Sequence, residues 1–194
     1  REGVTFYYFG NGCIADYYGE SIAYLDDTDI FLISVCDGSR TLSKCIEQLK
    51  CTIDDTVVCE RIDSMRRKGV LVIKEHPSSN NVLFYGEKGL FYPKQLAIEL
   101  TSCCNYNCSF CYKDANALGK YISDDVIDNI VNTICGKVGL VTLTGGEPTL
   151  HPHIVNYIEK LSQATSHLTM ITNGSQLHKF TKYASTLQKL DLIQ

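Results

Sequence analysis

From residue 94 onward the chain repeats one rhythm: a short apolar run, a loop, then an amphipathic helical stretch. Residues 94–101 read as a strand around Leu96, Ile98 and Leu100, and residues 140–143 and 168–172 as two more. Ser123 caps a helix whose stripe is Val126, Ile127, Ile130, Val131 and Ile134, ended by Gly136. Residues 153–164 carry Ile154, Val155, Ile158 and Leu161 on one face, residues 177–187 read as a third helix, and residues 190–193 open a fourth strand. Strands alternating with helices of this length lie parallel and are joined by right-handed crossovers. A full eight-unit barrel takes about 250 residues, more than residues 94–194 supply. The expected fold class is therefore α/β, with an incomplete (β/α) barrel of the TIM type. The chain reads as a fragment of a longer protein, and Arg1 in place of an initiating Met agrees.

The first 75 residues have a different order. Residues 4–9 and 19–25 read as strands separated by the turn signal Gly10-Asn11-Gly12. Asp27-Thr28-Asp29 opens a helix carrying Ile30, Phe31, Ile33 and Val35, Thr41 caps a second with Leu42, Cys45, Ile46 and Leu49, and Asp54-Asp55-Thr56 opens a third that ends at Gly69. Residues 70–73 read as a closing strand. This is the pattern of a small winged-helix-like α+β domain over residues 1–75, followed by a linker over 76–93, marked by His76-Pro77-Ser78-Ser79-Asn80-Asn81, and by the barrel segment 94–194.

Charge narrows the partners. The net charge is −4; acidic residues outnumber basic ones 14 to 10 over residues 1–90 and balance them at eight each thereafter. A protein that neutralises phosphates is basic somewhere, so the expectation is no nucleic acid. No run approaches the roughly 20 apolar residues of a membrane span, so no membrane is expected either. Six of the ten cysteines (Cys13, Cys36, Cys45, Cys51, Cys59 and Cys135) stand alone and read as small hydrophobes, and the compartment reads as reducing, the cytoplasm.

The other four cysteines crowd into Thr101-Ser102-Cys103-Cys104-Asn105-Tyr106-Asn107-Cys108-Ser109-Phe110-Cys111-Tyr112, just past the first barrel strand. Ligands of parallel sheets bind beyond the carboxyl ends of the strands. Cys104, Cys108 and Cys111 form C-x3-C-x2-C, a spacing that can hold three irons of a cubane cluster and leave the fourth open. Zinc, with Cys103 or a histidine as fourth ligand, is the competing reading, and a register starting at Cys103 is the other. Thr144-Gly145-Gly146-Glu147-Pro148 follows the second barrel strand and Thr172-Asn173-Gly174 the third. Taken singly, Gly145-Gly146 is a tight turn, Asn173-Gly174 a turn signal and Glu147 a loop acid.

Together these motifs resemble those of the radical S-adenosylmethionine (radical SAM) enzymes. The resemblance covers residues 94–194. It implies a [4Fe–4S] cluster on Cys104, Cys108 and Cys111, with S-adenosylmethionine (SAM) chelating the open iron. It further implies that Gly145 and Gly146 let the backbone approach the cofactor, that Glu147 or its neighbouring carbonyls meet the SAM ammonium, that Pro148 stiffens the turn, that Phe110 packs near the adenine and that Asn173 lies near the ribose. Such enzymes cleave SAM reductively to a 5′-deoxyadenosyl radical, with a flavodoxin or ferredoxin as reducing partner.

Asp37-Gly38-Ser39-Arg40-Thr41-Leu42 is similar to the motif of peptide-recognition domains akin to the peptide chaperone of pyrroloquinoline quinone biosynthesis, although Asp37-Gly38 alone is also an ordinary helix end. The resemblance implies a precursor peptide whose leader adds a strand to the sheet and packs on the third helix. Arg61, Arg66, Arg67 and Lys68 would then meet leader acids, and Tyr7, Tyr8, Tyr17 and Tyr18 would line the sheet edge. The expected function is a radical SAM peptide maturase, inactive in this truncated form. The alternatives are a radical SAM enzyme acting on a small molecule or protein, and a peptide-binding module without turnover.

Overall fold

A computed structural model of the chain describes residues 3–76, 78 and 82–194. Two compact units divide it, Arg1–Tyr92 and Pro93–Gln194. In the first, β1 (Val4–Phe9), β2 (Gly12–Tyr17) and β3 (Glu20–Leu25) form an antiparallel meander. The residues between 12 and 17, left unassigned by pattern, are thus the central strand. Gly12, Ala15 and Asp16 carry little strand propensity, and tertiary packing overrides it, with Cys13 and Ala15 wholly buried against the helices.

Helices α1 (Asp27–Val35), α2 (Leu42–Lys50) and α3 (Asp55–Arg67) follow. Each has a side-chain cap. Asp26 accepts from the Asp29 N–H in a reciprocal capping box, Thr41 accepts from Lys44 and Asp54 from Thr56. Leu32, Ile33, Leu49, Val58, Ile62 and Met65 close the core beneath the sheet.

Residues 70–73 form no strand. Val70 is buried, but Val72 and Ile73 are exposed. The fourth strand is β4 (Phe84–Tyr85), within the 76–93 stretch, where the apolar run 82–85 reads as a short strand before the break at Gly86–Gly89, and it runs parallel to β1 in the order β3-β2-β1-β4. Aromatic pairing favours it, with Phe6 and Phe84 rings 5.2 Å apart and Tyr7 and Tyr85 rings 5.7 Å apart. Of the expected linker, Pro77, Ser79, Asn80 and Asn81 lie outside the described residues. Two expectations for peptide contacts also change. Tyr7 is buried on an inner strand, and Arg61 is tied to Asp26 at 2.8 Å and Asp29 at 3.0 Å.

The second unit is a parallel sheet in sequential order: β5 (Gln95–Glu99), β6 (Leu140–Thr144), β7 (His167–Met170) and β8 (Leu192–Ile193). The crossovers contain α4 (Asp124–Ile134), α5 (Ile154–Ala164) and the short α6 (Ala184–Leu187). The third expected helix is mostly a 3-10 segment, Leu177–Tyr183, where Phe180, Thr181 and Tyr183 are weak helix formers. Leu100, Ile127, Val141, Leu143, Tyr157, Ile158, Leu161 and Leu168 are almost completely buried, each aliphatic side chain contributing about 1.5–3 kcal/mol by leaving water. Val126, expected inward, is exposed. This sheet holds the motif loops at its carboxyl edge. Among the described residues no helix is long and apolar enough to cross a membrane.

Candidate functional site

The loop after β5 is clamped at its base before it reaches the thiols. Ser102 N–H donates to Lys120 O at 2.9 Å, Lys120 N–H returns to Ser102 Oγ at 2.8 Å, and Thr101 Oγ donates to Lys120 O at 2.8 Å. Cys104 N–H donates to Asn116 O at 2.9 Å. Gly119 completes the clamp, since a Cβ there would lie 2.3 Å from Cys103 N. Pattern alone did not single out Gly119, whose requirement comes from a backbone 16 residues earlier in the chain.

Within the loop the four thiols part company. Cys103 is buried, and its thiol beside Tyr121 pushes the Tyr121 hydroxyl above its ordinary value. Cys104 is half-buried, and Cys108 and Cys111 are exposed. The backbone N–H groups of Ala115, Lys113 and Asp114 beside Cys111 hold its thiol below its ordinary value. The alternation of inward Cys103 and outward Cys104 favours the register that begins at Cys104. The three outward thiols share one loop, but among the described residues no three His, Cys, Asp or Glu side chains close around a point. Phe110, beside Cys111, is 87% exposed, and Tyr112 is equally bare.

The loop after β6 is packed against this one. Gly146 N–H donates to Thr101 O at 2.7 Å and Glu147 N–H to Cys103 O at 2.8 Å. A Cβ on Gly146 would lie 2.2 Å from Cys103 O, and one on Gly145, at φ +147°, 2.4 Å from Thr101 O. Both glycines are therefore required by the neighbouring backbone itself, in addition to any cofactor. Glu147 is wholly buried, and its carboxylate accepts from Thr149 N–H (3.0 Å), Thr149 Oγ, Thr172 Oγ (2.6 Å) and Asn173 N–H (2.7 Å). The carboxylate is thus committed to the protein, and of the two expected acceptors for an ammonium group its neighbouring carbonyls remain. Pro148 begins the 3-10 turn Pro148–Leu150 that leads toward α5.

Asn173, after β7, is brought to the cysteine loop. Its Nδ2 donates to Asn105 Oδ1 at 3.0 Å and reaches Cys104 Sγ at 4.0 Å. Cys104, Gly145, Gly146, Glu147 and Asn173 are thus joined by direct contacts at the carboxyl ends of β5, β6 and β7, while Cys108, Phe110 and Cys111 project from the outer part of the loop. Thr101 and Thr172 stand within the motif strings without a role of their own, and Thr149 outside them, because a lone threonine carries no signal until a buried carboxylate or carbonyl faces it. The donor chemistry suits an iron–sulfur cluster: cysteine thiols on an accessible loop, one already biased toward thiolate, with glycine backbone close by.

The radical SAM superfamily model matches residues 98–194. Among curated proteins, the probable GTP 3′,8-cyclase of Thermococcus kodakarensis is 36% identical over 91 residues, covering 45% of this chain and 29% of that protein. The GTP 3′,8-cyclase of Trichodesmium erythraeum is 30% identical over 108 residues, covering 50% and 33%. This chain thus spans about a third or less of the length of these relatives. Among solved structures, Streptococcus suis SuiB bound to precursor peptide SuiA matches with TM-score 0.58 and 21% identity, covering 100% of this chain and 46% of that one. SuiB bound to S-adenosylmethionine matches with TM-score 0.56 and 19% identity, covering 100% and 45%.

Proposed function

The chain belongs to the radical SAM superfamily, whose cofactors are a [4Fe–4S] cluster and SAM, and from that premise we propose that it serves a peptide maturase, an enzyme that modifies a ribosomally made precursor bound through its leader. The observation that carries this reading is the extent of the fold likeness. SuiB, which binds the precursor SuiA, resembles the chain over both units, whereas the cyclases match only about half of it. Residues 1–92 lie outside the segment 98–194 that the superfamily model matches and need a task, and leader recognition is the one their SuiB-like fold supports.

In this proposal Cys104, Cys108 and Cys111 hold the cluster. The Gly145-Gly146 backbone and the carbonyls flanking Glu147 receive the methionine end of SAM. Pro148 stiffens that turn, Asn173 lies toward the ribose, and Phe110, free of protein contacts over most of its surface, covers the adenine. When bound, cluster and SAM supply one-electron cleavage of the sulfonium and a radical that abstracts hydrogen from substrate. The protein's own part is to orient the cofactor and exclude water at the strand ends. Residues 1–75 form the body of the winged-helix-like leader domain, β4 within residues 76–93 completes its sheet, and residues 94–194 belong to the partial barrel. The leader adds to the outer edge of β3, where Tyr24 is exposed, and Arg67 and Lys68 on the exposed end of α3 meet its acids. A cytoplasmic flavodoxin or ferredoxin supplies the electron.

The second reading, a nucleotide substrate as in the cyclases, is favoured by their higher identity over the part of the chain that they match. One measurement separates the two: formation of 5′-deoxyadenosine by anaerobically reconstituted full-length enzyme, with the precursor peptide or with GTP. Stimulation by precursor and not by GTP is expected. Stimulation by GTP alone would overturn the peptide reading.

A further inference from the structure

The loop after β7 and the cysteine loop are joined by a closed ring of three hydrogen bonds, and one backbone group sets its polarity. Ser175 N–H donates to Asn173 Oδ1 at 3.0 Å. A backbone N–H can only donate, so the oxygen of that carboxamide faces Ser175 and its nitrogen faces away. Asn173 Nδ2 then donates to Asn105 Oδ1 at 3.0 Å, which leaves Asn105 Nδ2 to donate to Ser175 Oγ at 2.8 Å. Reversing any one amide would set donor against donor. The ring is held from below by the Asn173 N–H on Glu147 Oε2. It also touches the first thiol of the motif. Asn105 follows Cys104 directly, Asn173 Nδ2 lies 4.0 Å from Cys104 Sγ, and Tyr106 N–H donates to the same sulfur at 3.4 Å.

We infer that Asn105 and Ser175 are positioning residues that hold the Asn173 carboxamide with its N–H toward the Cys104 sulfur, so that this ring sets the reduction potential of the cluster. The inference rests on ligation of the cluster by Cys104. Neither residue touches the reacting atoms. Each acts through Asn173: the Ser175 backbone N–H favours one orientation of its carboxamide, and the Asn105 oxygen, itself fixed by the Ser175 hydroxyl, is the second contact that resists half a rotation about its side-chain axis. N–H donors aimed at cluster sulfurs stabilise the more negative, reduced state and raise the potential. An Asn173 carboxamide that can turn presents its oxygen to the thiolate part of the time, and the potential falls. Asn105, Asn173 and Ser175 are exposed or half-exposed, so opening the ring shifts the cluster's properties and does not empty the site.

The experiment uses anaerobically reconstituted full-length enzyme. Iron is counted, and the midpoint potential is read by an electron-paramagnetic-resonance titration with SAM present. Ser175→Ala and Asn105→Ala are expected to retain the parent iron content and to titrate at more negative potential than the parent. Ser175→Thr, which restores a hydroxyl acceptor, is expected to return to the parent value. Parent potentials in both alanine variants overturn the inference, as does a shift in Ser175→Thr equal to that in Ser175→Ala. Loss of iron from Ser175→Ala overturns it as well, because opening the ring is inferred to shift the potential and not to empty the site. Cys104→Ala is the control for the underlying assignment. A full cluster there removes Cys104 as a ligand, whereas loss of the cluster there with unmoved potentials in the ring variants sinks the ring alone.

Discussion

Cys13, Cys36 and Cys45 of the first unit behave oppositely to the motif thiols Cys104, Cys108 and Cys111 of the second, and the contrast shows what a motif adds to a residue type. In the first unit Cys13 and Cys45 are buried packing groups. Burial pushes the Cys13 thiol up to about 12, and burial together with neighbouring Cys45 does the same to Cys36. In the second unit Cys104, Cys108 and Cys111 face outward on a clamped loop, and nearby N–H groups pull the Cys111 thiol down. Polar groups divide in the same way. Asp26, Thr41 and Asp54 close local helix ends, one turn away in sequence. Glu147, Thr172 and Asn173 join loops about 25 residues apart. Local bonds build a scaffold, and long-range bonds at the strand ends build a site.

The sharpest way to break the contrast is to exchange thiols for methyl groups. Cys104→Ala is expected to abolish iron binding and SAM cleavage in the reconstituted full-length enzyme, while Cys45→Ala keeps a full complement of iron and costs only about 1 kcal/mol in urea unfolding. Equal iron content in the two variants would refute the division.

Glycines give the next largest difference. Gly146→Ala drives a methyl into Cys103 O and is expected to cost at least about 4 kcal/mol, read as lost hydrogen-exchange protection across the second unit. Gly12→Ala meets only the end of the Tyr24 side chain, which can swing aside, so less than about 1 kcal/mol is expected. Comparable losses at the two positions would show that the strand-end packing is not special.

Glu147→Ala strands four donor groups, two of them on buried Thr149 and two part-buried on Thr172 and Asn173, and is expected to destabilise the second unit by about 3 kcal/mol. Glu147→Gln, which keeps one oxygen, should lose roughly half of that. A fully stable Glu147→Ala chain would mean that water takes over the carboxylate's work.

The smallest effect is a pH response. His151 accepts the His153 N–H at Nδ1, so Nε2 carries the proton and donates to Ile122 O at 3.0 Å. Burial lowers its pKa below the ordinary 6.5. The unfolded chain therefore takes up a proton first as pH falls. The stability tied to neutral His151 is present above about pH 6.5 and is lost below it, down to the folded value. Second-unit stability in wild type should fall more between about pH 7 and pH 5.5 than in His151→Gln. Parallel pH curves would remove His151 as the cause.

Much of the second unit was legible because periodicity and topology agree there: the apolar runs around Ile98, Val141 and Leu168 became parallel neighbours in sequence order. The first unit was less so. Its central strand opens on Gly12, part of a turn signal, and carries Ala15 and Asp16, which have little strand propensity, and the pairing of its fourth strand depends on Phe84 and Tyr85 finding Phe6 and Tyr7 across almost 80 residues. Pattern also misjudged the lone thiols, since Cys51, Cys59 and Cys135 are exposed. Sidedness of an isolated residue depends on what packs against its helix, which spacing does not encode.

The amino-acid order by itself determined the chemistry available here, because three thiols at a set spacing and two glycines before an acid are covalent facts that any fold of the chain must carry. It also determined the alternation of strand and helix, which is local. Only the tertiary structure decided which thiol of Cys103 and Cys104 turns outward, that the Glu147 carboxylate is already engaged by Thr149, Thr172 and Asn173, and that Asn105 and Ser175 meet. Those outcomes depend on groups brought together by parallel strand pairing, whose register is settled by packing of the whole sheet and not by any single segment.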